Sequence, residues 1–244
     1  MVIISAQKVV KEWELGEYIV RALDGVSMEV KEREFLVIKG PSGAGKTTLL
    51  NLLGGLDMPT SGEVLFDNVN ITSMSEESLA TFRCLNSGFI FQNFNLISTL
   101  SAIENVIFPM EMAGFTPGER DERAHALLER VNLRERDEHL PFQLSAGEQQ
   151  RVAIARALAN NPPVIIADEP TANLDEATAE FIGELFASLK QESKTVVVAT
   201  HDDRIAIQAD RILFMEDGKI IDEQVLRDVP PLAAQPNATS MPEE

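Results

Sequence analysis

Residues 40–47, GPSGAGKT, constrain this chain more than any other stretch. They fit the spacing G-x-x-x-x-G-K-[ST] and continue directly from FLVIKG (35–40), an apolar run that reads as a strand, into a helix predicted from Lys46 to about Leu53. In that setting the glycines let backbone N–H groups curl toward phosphate oxygens, the lysine reaches the β- and γ-phosphates, and the hydroxyl can ligate Mg²⁺. Gly40, Pro41, Ser42, Gly43, Ala44, Gly45, Lys46, Thr47 and Thr48 are therefore candidate phosphate contacts, and Thr47 is also a candidate metal ligand. A turn that merely reverses the chain needs neither the lysine nor the hydroxyl.

Two further runs, VIIAD (164–168) and TVVVAT (195–200), are short, β-branched and not alternating, as expected of parallel strands buried on both faces. A helix predicted over 176–191 carries Ile182, Leu185, Phe186 and Leu189 on one face, so the pattern is α/β. The strand ends carry chemistry, because ligands of open parallel sheets bind at the carboxyl edge. Asp168 is placed to hold Mg²⁺ through a bound water and Glu169 to take a proton from an attacking water. His201 closes the third strand and is a candidate γ-phosphate contact. Gln92, in GFIFQNFNL, is a neutral amide that can either cap a strand or orient a water. A second helix start suited to an anion opens LSAGEQQRVAIARAL (144–158), yet it has no lysine.

Between about 86 and 160 the strand signal largely disappears, and TPGERDERAHALLERV begins with a capping box at Thr116 and Glu119, which reads as a helical insertion. FMEDGKIIDE (214–223) reads as two short strands around an Asp-Gly turn. These boundaries give one domain over 1–228, with a core at about 1–85 and 161–228 and a helical subdomain at about 86–160. Residues 229–244 are Pro-rich, polar and without periodicity, and are expected to be disordered. The formal charge of −18, from 39 acidic and 21 basic residues, argues against nucleic-acid backbone binding, and the excess acid reads as a solvated surface. Cys84 is alone, so it closes no disulfide within the chain and is expected to pack, in keeping with a reducing compartment. No apolar run approaches the roughly 20 residues that span a bilayer, and the N-terminus lacks the build of a secretory signal, so a soluble protein is expected.

Together these motifs resemble the ATP-binding subunit of an ABC transporter, from about residue 3 to 223. GPSGAGKTT resembles the family's Walker A loop, Gln92 its Q-loop, LSAGEQQ its signature, VIIADEP its Walker B, ANLD its D-loop and THD its switch histidine. The sequence is most similar to the branch of lipoprotein-release and macrolide-export ATPases, which includes a cell-division ATPase. The resemblance implies a P-loop NTPase core with a parallel sheet, an N-terminal antiparallel β part and an inserted helical subdomain. It implies ATP and Mg²⁺ as cofactors, with Thr47, Gln92 and Asp168 at the metal, and Glu169, His201, Gln92 and Lys46 as the catalytic set.

It also accounts for the second helix start. In the family two subunits meet head to tail, and the signature helix of one faces the nucleotide on the Walker A loop of the other. Ser145 and Glu148 form a capping box there, leaving the Ser145 hydroxyl and the Gly147 N–H for a γ-phosphate, with Asp175 at the same interface. Ala146 departs from the family's usual glycine. Trp13 stands where the family has an adenine-stacking aromatic, with Tyr18 as the weaker candidate, although either ring can equally be core. The implied partners are a second copy of the chain and an integral membrane permease, with no nucleic acid, and the implied place is the cytoplasmic face of the cell membrane. Phe94 and Leu96 are candidate contacts for a short helix of that permease, or core of the helical subdomain. Two alternatives stand beside export: a non-transporting ATPase that transmits force to a membrane protein, and a soluble ABC ATPase of DNA or translation processes. The second is disfavoured by the lack of a coiled-coil insertion, a second cassette, zinc cysteines or a basic surface.

Overall fold

Two sheets organise residues 1–16 and 18–229, the part of the chain described by the computed structural model. The chain opens with a long hairpin of β1 (Val2–Leu15) and β2 (Tyr18–Lys31), enters β3 (Phe35–Lys39), and turns into helix α1 (Lys46–Leu53). Strands β4 (Ser61–Phe66) and β5 (Val69–Asn70), helix α2 (Glu76–Asn86) and strand β6 (Ser87–Ile90) follow. Helices α3 (Ala102–Met112), α4 (Pro117–Arg130) and α5 (Ala146–Leu158) then precede β7 (Val164–Asp168), α6 (Glu176–Gln191), β8 (Thr195–Ala199), the short α7 (Asp203–Ala206), β9 (Arg211–Glu216) and β10 (Lys219–Val225). The larger sheet has the order β10-β9-β3-β8-β7-β6 and is parallel except for β10; the smaller, β2-β1-β4-β5, is antiparallel.

The three apolar runs form the middle of the large sheet, and alternation along them divides the core in two. Phe35 and Val37 face a cluster built with α3, α4, α5 and α6, whereas Leu36 and Ile38 face α1 and the antiparallel sheet. Phe186 of α6 meets Phe35 edge to face at 6.3 Å between centroids and is fully buried, a burial that contributes about 1.5–3 kcal/mol. Layers on both faces hold the carboxyl edge of β3, β7 and β8 rigid, and that edge carries the site.

The helical stretch holds the predicted cap: the Thr116 N–H and hydroxyl both donate to Glu119 Oε2, at 3.0 and 2.6 Å. Its first part departs from the sequence reading. Ser87–Ile90 is a strand, paired in parallel with β7 at the edge of the large sheet. Four residues containing Gly88 are too short a run for periodicity to reveal, yet the glycine is required, because a Cβ there would run into the Ala157 carbonyl of α5. The Asp-Gly turn is formed as expected, with Asp217 at φ 47° and Gly218 at φ 74°, both in the left-handed region that a two-residue hairpin of this kind requires. The expectation for 229–244 lies, from Pro230 onward, outside the described residues.

Candidate active site

Strand β3 delivers the glycine loop to the carboxyl edge of the sheet. At Gly40 a Cβ would strike the Met215 carbonyl oxygen, and at Gly45, φ 97°, it would strike that of Ala22, so neither position admits a side chain. The loop closes around Lys46, whose Nζ donates to the Gly40 and Pro41 carbonyls at 2.7 and 3.0 Å and lies 3.5 Å from His201 Nε2. Helix α1 starts here with no acid in its first turn, so its N-terminal N–H groups and positive dipole end remain available to an anion. A cavity of about 1000 Å³ opens over it, lined by residues 42–48, Gln92, Asp168, Glu169 and His201, among others.

The two acids have different surroundings. Asp168 Oδ2 accepts the Thr47 hydroxyl at 2.6 Å, while Oδ1 is buried without a hydrogen-bond partner. Burial raises the Asp168 carboxyl above its usual range, against the opposing pull of Thr47 and Lys46. A half-buried carboxylate with an unpartnered oxygen, bonded to a threonine hydroxyl beside a phosphate loop, is an all-oxygen donor set that fits a hard divalent cation. Glu169 sits in the left-handed region, at φ 43°, with its N–H donated to the Ala199 carbonyl at 2.8 Å. This kink turns its side chain along the strand edge, where Oε2 accepts the His201 N–H at 3.3 Å and Oε1 lies 3.3 Å from His201 Nε2. Gln92, in the loop after β6, is exposed on the same wall.

Other predicted residues lie elsewhere. Ser145 and Glu148 form the expected capping box, with Ser145 N–H to Glu148 Oε2 at 2.8 Å and Glu148 N–H to Ser145 Oγ at 3.3 Å. Gly147 is buried, and a Cβ on it would press on Thr178 at 3.0 Å. Thr178 in turn is bound by Asp175, which caps α6 through the Thr178 N–H at 2.9 Å and hydroxyl at 2.7 Å. Ser145, Gly147 and Asp175 thus meet at one corner outside the cavity wall, while Ala172 at the start of the D-loop and Glu176 just after it lie on that wall. Trp13 is also outside it, but its cross-strand partner Val20 is part of the wall; Tyr18, at the hairpin end, is more exposed than Trp13. Sequence reasoning missed Thr171, Asp202 and Arg204 on the wall, and the buried Gln150, whose amide donates to the Pro170 carbonyl at 2.8 Å and ties the signature helix to the loop after Glu169. Asp202 closes the THD motif and Arg204 lies three positions from His201, which was the available signal; Gln150 closes LSAGEQQ, but its Pro170 contact is not local.

Of the two hydrophobic candidates after Gln92, Leu96 packs against the core, and half-buried Phe94 is bound through its carbonyl by Arg156 at 2.8 Å. Neither lines the apolar groove nearby. That groove, about 690 Å³, is lined instead by Leu85, Phe89, Phe91, Phe108 and Met112, among others, with Leu85, Phe108 and Met112 exposed.

Fold and site together define a P-loop ATPase with helices between its glycine loop and the Asp168–Glu169 pair. A family model described as ABC transporter matches residues 23–172, and the chain belongs to that family as one of its ATP-binding, ATP-hydrolysing cassettes. It is 48% identical over 229 residues to the uncharacterized ABC transporter ATP-binding protein MJ0796 of Methanocaldococcus jannaschii, covering 92% of this chain and 97% of that one. It is 42% identical to the macrolide export ATP-binding/permease protein MacB of Brucella melitensis, over 99% of this chain but 37% of that protein. Among solved structures, the dimeric post-hydrolysis state of MJ0796 bound to ADP and Pi superposes with a TM-score of 0.89 at 44% identity, covering 93% of this chain and all of that one.

Proposed function

We propose that this cassette binds ATP with Mg²⁺, pairs head to tail with a second copy, and drives an integral membrane permease of the export type. The observation that carries the reading is the meeting, in one cavity, of the lysine loop, the Thr47–Asp168 pair and the Glu169–His201 pair. Thr47, Asp168 and Gln92 would hold Mg²⁺, which supplies charge neutralisation on the β- and γ-phosphates. Lys46 exchanges its loop carbonyls for phosphate oxygens. Glu169 takes the proton of the attacking water, held in place by the backbone N–H of His201, whose ring contacts the γ-phosphate. Ser145 and Gly147 of the second copy, with Asp175 beside them, close the site, and loss of the γ-phosphate reopens it. The dimer of MJ0796 supports this pairing, and the likeness to MacB over nearly the whole chain supports a permease of the export kind.

The permease would seat a short helix in the groove between α2, α3 and β6, which gives the cassette its place at the inner face of the membrane. Among the described residues no helix is long and apolar enough to cross a membrane. Glu169→Gln tests the chemistry: it keeps the size and hydrogen-bonding reach of the side chain and removes the base. ATP hydrolysis should fall by about 10²–10⁴, the usual worth of a general base, with ATP binding intact and a stable dimer trapped. Turnover within tenfold of the unsubstituted protein would assign the base elsewhere.

A further inference from the structure

Lys11, in β1, is buried, unlike most lysines, and its ammonium donates to Asp57 Oδ1 and to the Met58 carbonyl, both at 2.7 Å. An ammonium has three N–H donors, and these two oxygens use two of them. Lys11 Nζ lies 4.2 Å from the centroid of the Trp13 ring, directly over it, so the third direction is filled by the ring face. Trp13 is nonetheless 45% exposed. One face of the indole is therefore closed by a fixed cation, and the rest of the ring is open to solvent beside Val20, which belongs to the cavity wall.

We propose that Lys11 is a positioning residue for nucleotide binding: anchored by Asp57 and Met58, it holds the Trp13 ring as a one-faced platform for the purine base. This rests on the reading of Trp13 as the base-stacking residue. Two physical effects act together. The anchored ammonium limits the orientations of an exposed aromatic side chain, which lowers the entropy lost when a base stacks on it. It also draws π density toward itself, leaving the open face better matched to an electron-rich purine. An ion pair that served only to tie β1 to the 54–60 loop would place no requirement on the ring.

Trp13 is the only tryptophan in the chain, so its emission reports this platform alone. The experiment titrates the full chain with ADP and, separately, with inorganic pyrophosphate, following Trp13 fluorescence and binding heat, in the unsubstituted protein and in Lys11→Met, Lys11→Arg and Asp57→Asn. The expected result is an emission change with ADP but not with pyrophosphate. Lys11→Met should weaken ADP about threefold to tenfold and leave pyrophosphate unchanged, with a shifted Trp13 emission. Lys11→Arg, which keeps a cation over the ring, should recover most of the loss. Asp57→Asn, which keeps an acceptor oxygen for the ammonium while removing its counter-charge, should weaken ADP by less than Lys11→Met does. Equal weakening of both ligands by Lys11→Met, or ADP binding unchanged in it, would overturn the proposal. So would an Asp57→Asn that weakens ADP as much as Lys11→Met. If Trp13 emission ignores ADP in the unsubstituted protein, the stacking reading itself fails and the platform fails with it. Should Lys11→Met not fold, an Arg variant that binds ADP tenfold more weakly with pyrophosphate binding equally reduced refutes the platform by itself.

Discussion

Glu148→Ala separates the role of the signature turn from that of the phosphate loop. In the structure the Glu148 carboxylate accepts the Ser145 N–H at 2.8 Å, the shorter half of the capping box, while Arg136 approaches its other oxygen only to 3.8 Å across exposed surface. Losing the cap costs about 1 kcal/mol, and losing an anion at a helix N-terminus adds about 0.3–1 kcal/mol. The Arg136 contact contributes little, because exposed pairs are screened. The sum, about 1–2 kcal/mol, lowers Tm by roughly 2–8 °C in a domain of this size. The effect has a pH signature. The Ser145 backbone N–H, more than any other neighbour, holds the Glu148 carboxyl below its ordinary range. A depressed folded pKa stabilises above the unfolded pKa, and that contribution fades as pH falls through the folded value. The Tm gap between the two proteins should therefore be full at pH 7 and close as the solution is acidified below the usual Glu range. Glu148 is not on the cavity wall, so ADP affinity of the single chain should be unchanged, whereas ATP-driven dimerisation in the Glu169→Gln background should weaken. Thermal melts across pH and sedimentation with ATP read the two effects. A gap that widens on acidification, or lost ADP affinity with an intact dimer, would refute the reasoning.

Two further changes test other parts of the molecule. Phe108→Asp puts a charge on the exposed apolar wall of the groove; it should abolish stimulation of hydrolysis by the membrane partner in reconstituted vesicles while basal hydrolysis stays within about twofold. Asp210, fully buried, accepts the Phe35 N–H at 2.9 Å and pairs with Lys190, so Asp210→Ala should cost about 3–5 kcal/mol by urea unfolding, and Asp210→Asn, which keeps an acceptor for Phe35, distinctly less.

The phosphate loop was legible because its chemistry is local: eight consecutive residues supply the bend, the donors, the cation and the hydroxyl. The three central strands were legible for a related reason, since burial on both faces leaves unbroken apolar runs. β6 was not, because its four residues pair with a strand more than seventy positions away and its glycine answers to Ala157 of α5 rather than to its neighbours. The apolar groove was legible only in part, since Asn95, Ile97 and Phe108 of the segment after Gln92 line it but Phe94 and Leu96 do not. Phe94 and Leu96 are apolar and close to Gln92 in sequence, but Leu96 packs against the core, Arg156 holds the Phe94 backbone carbonyl, and the exposed residues of the groove come from α2 and α3.

By itself the sequence determined that the glycine loop joins a buried strand to a helix, where the helices at 116–130 and 145–158 begin, and which acid follows the buried strand. These depend on bonds between residues at most a few positions apart, which spacing records. Tertiary structure alone decided that Asp168 keeps an unpartnered buried oxygen beside Thr47, that Gln150 reaches the Pro170 carbonyl, that Gly147 leans on Thr178, and that Lys11 lies over Trp13 with Asp57 behind it. All but the Lys11–Trp13 pair join residues 20 or more positions apart, and all depend on burial or side-chain direction, neither of which is encoded at any one position of the chain.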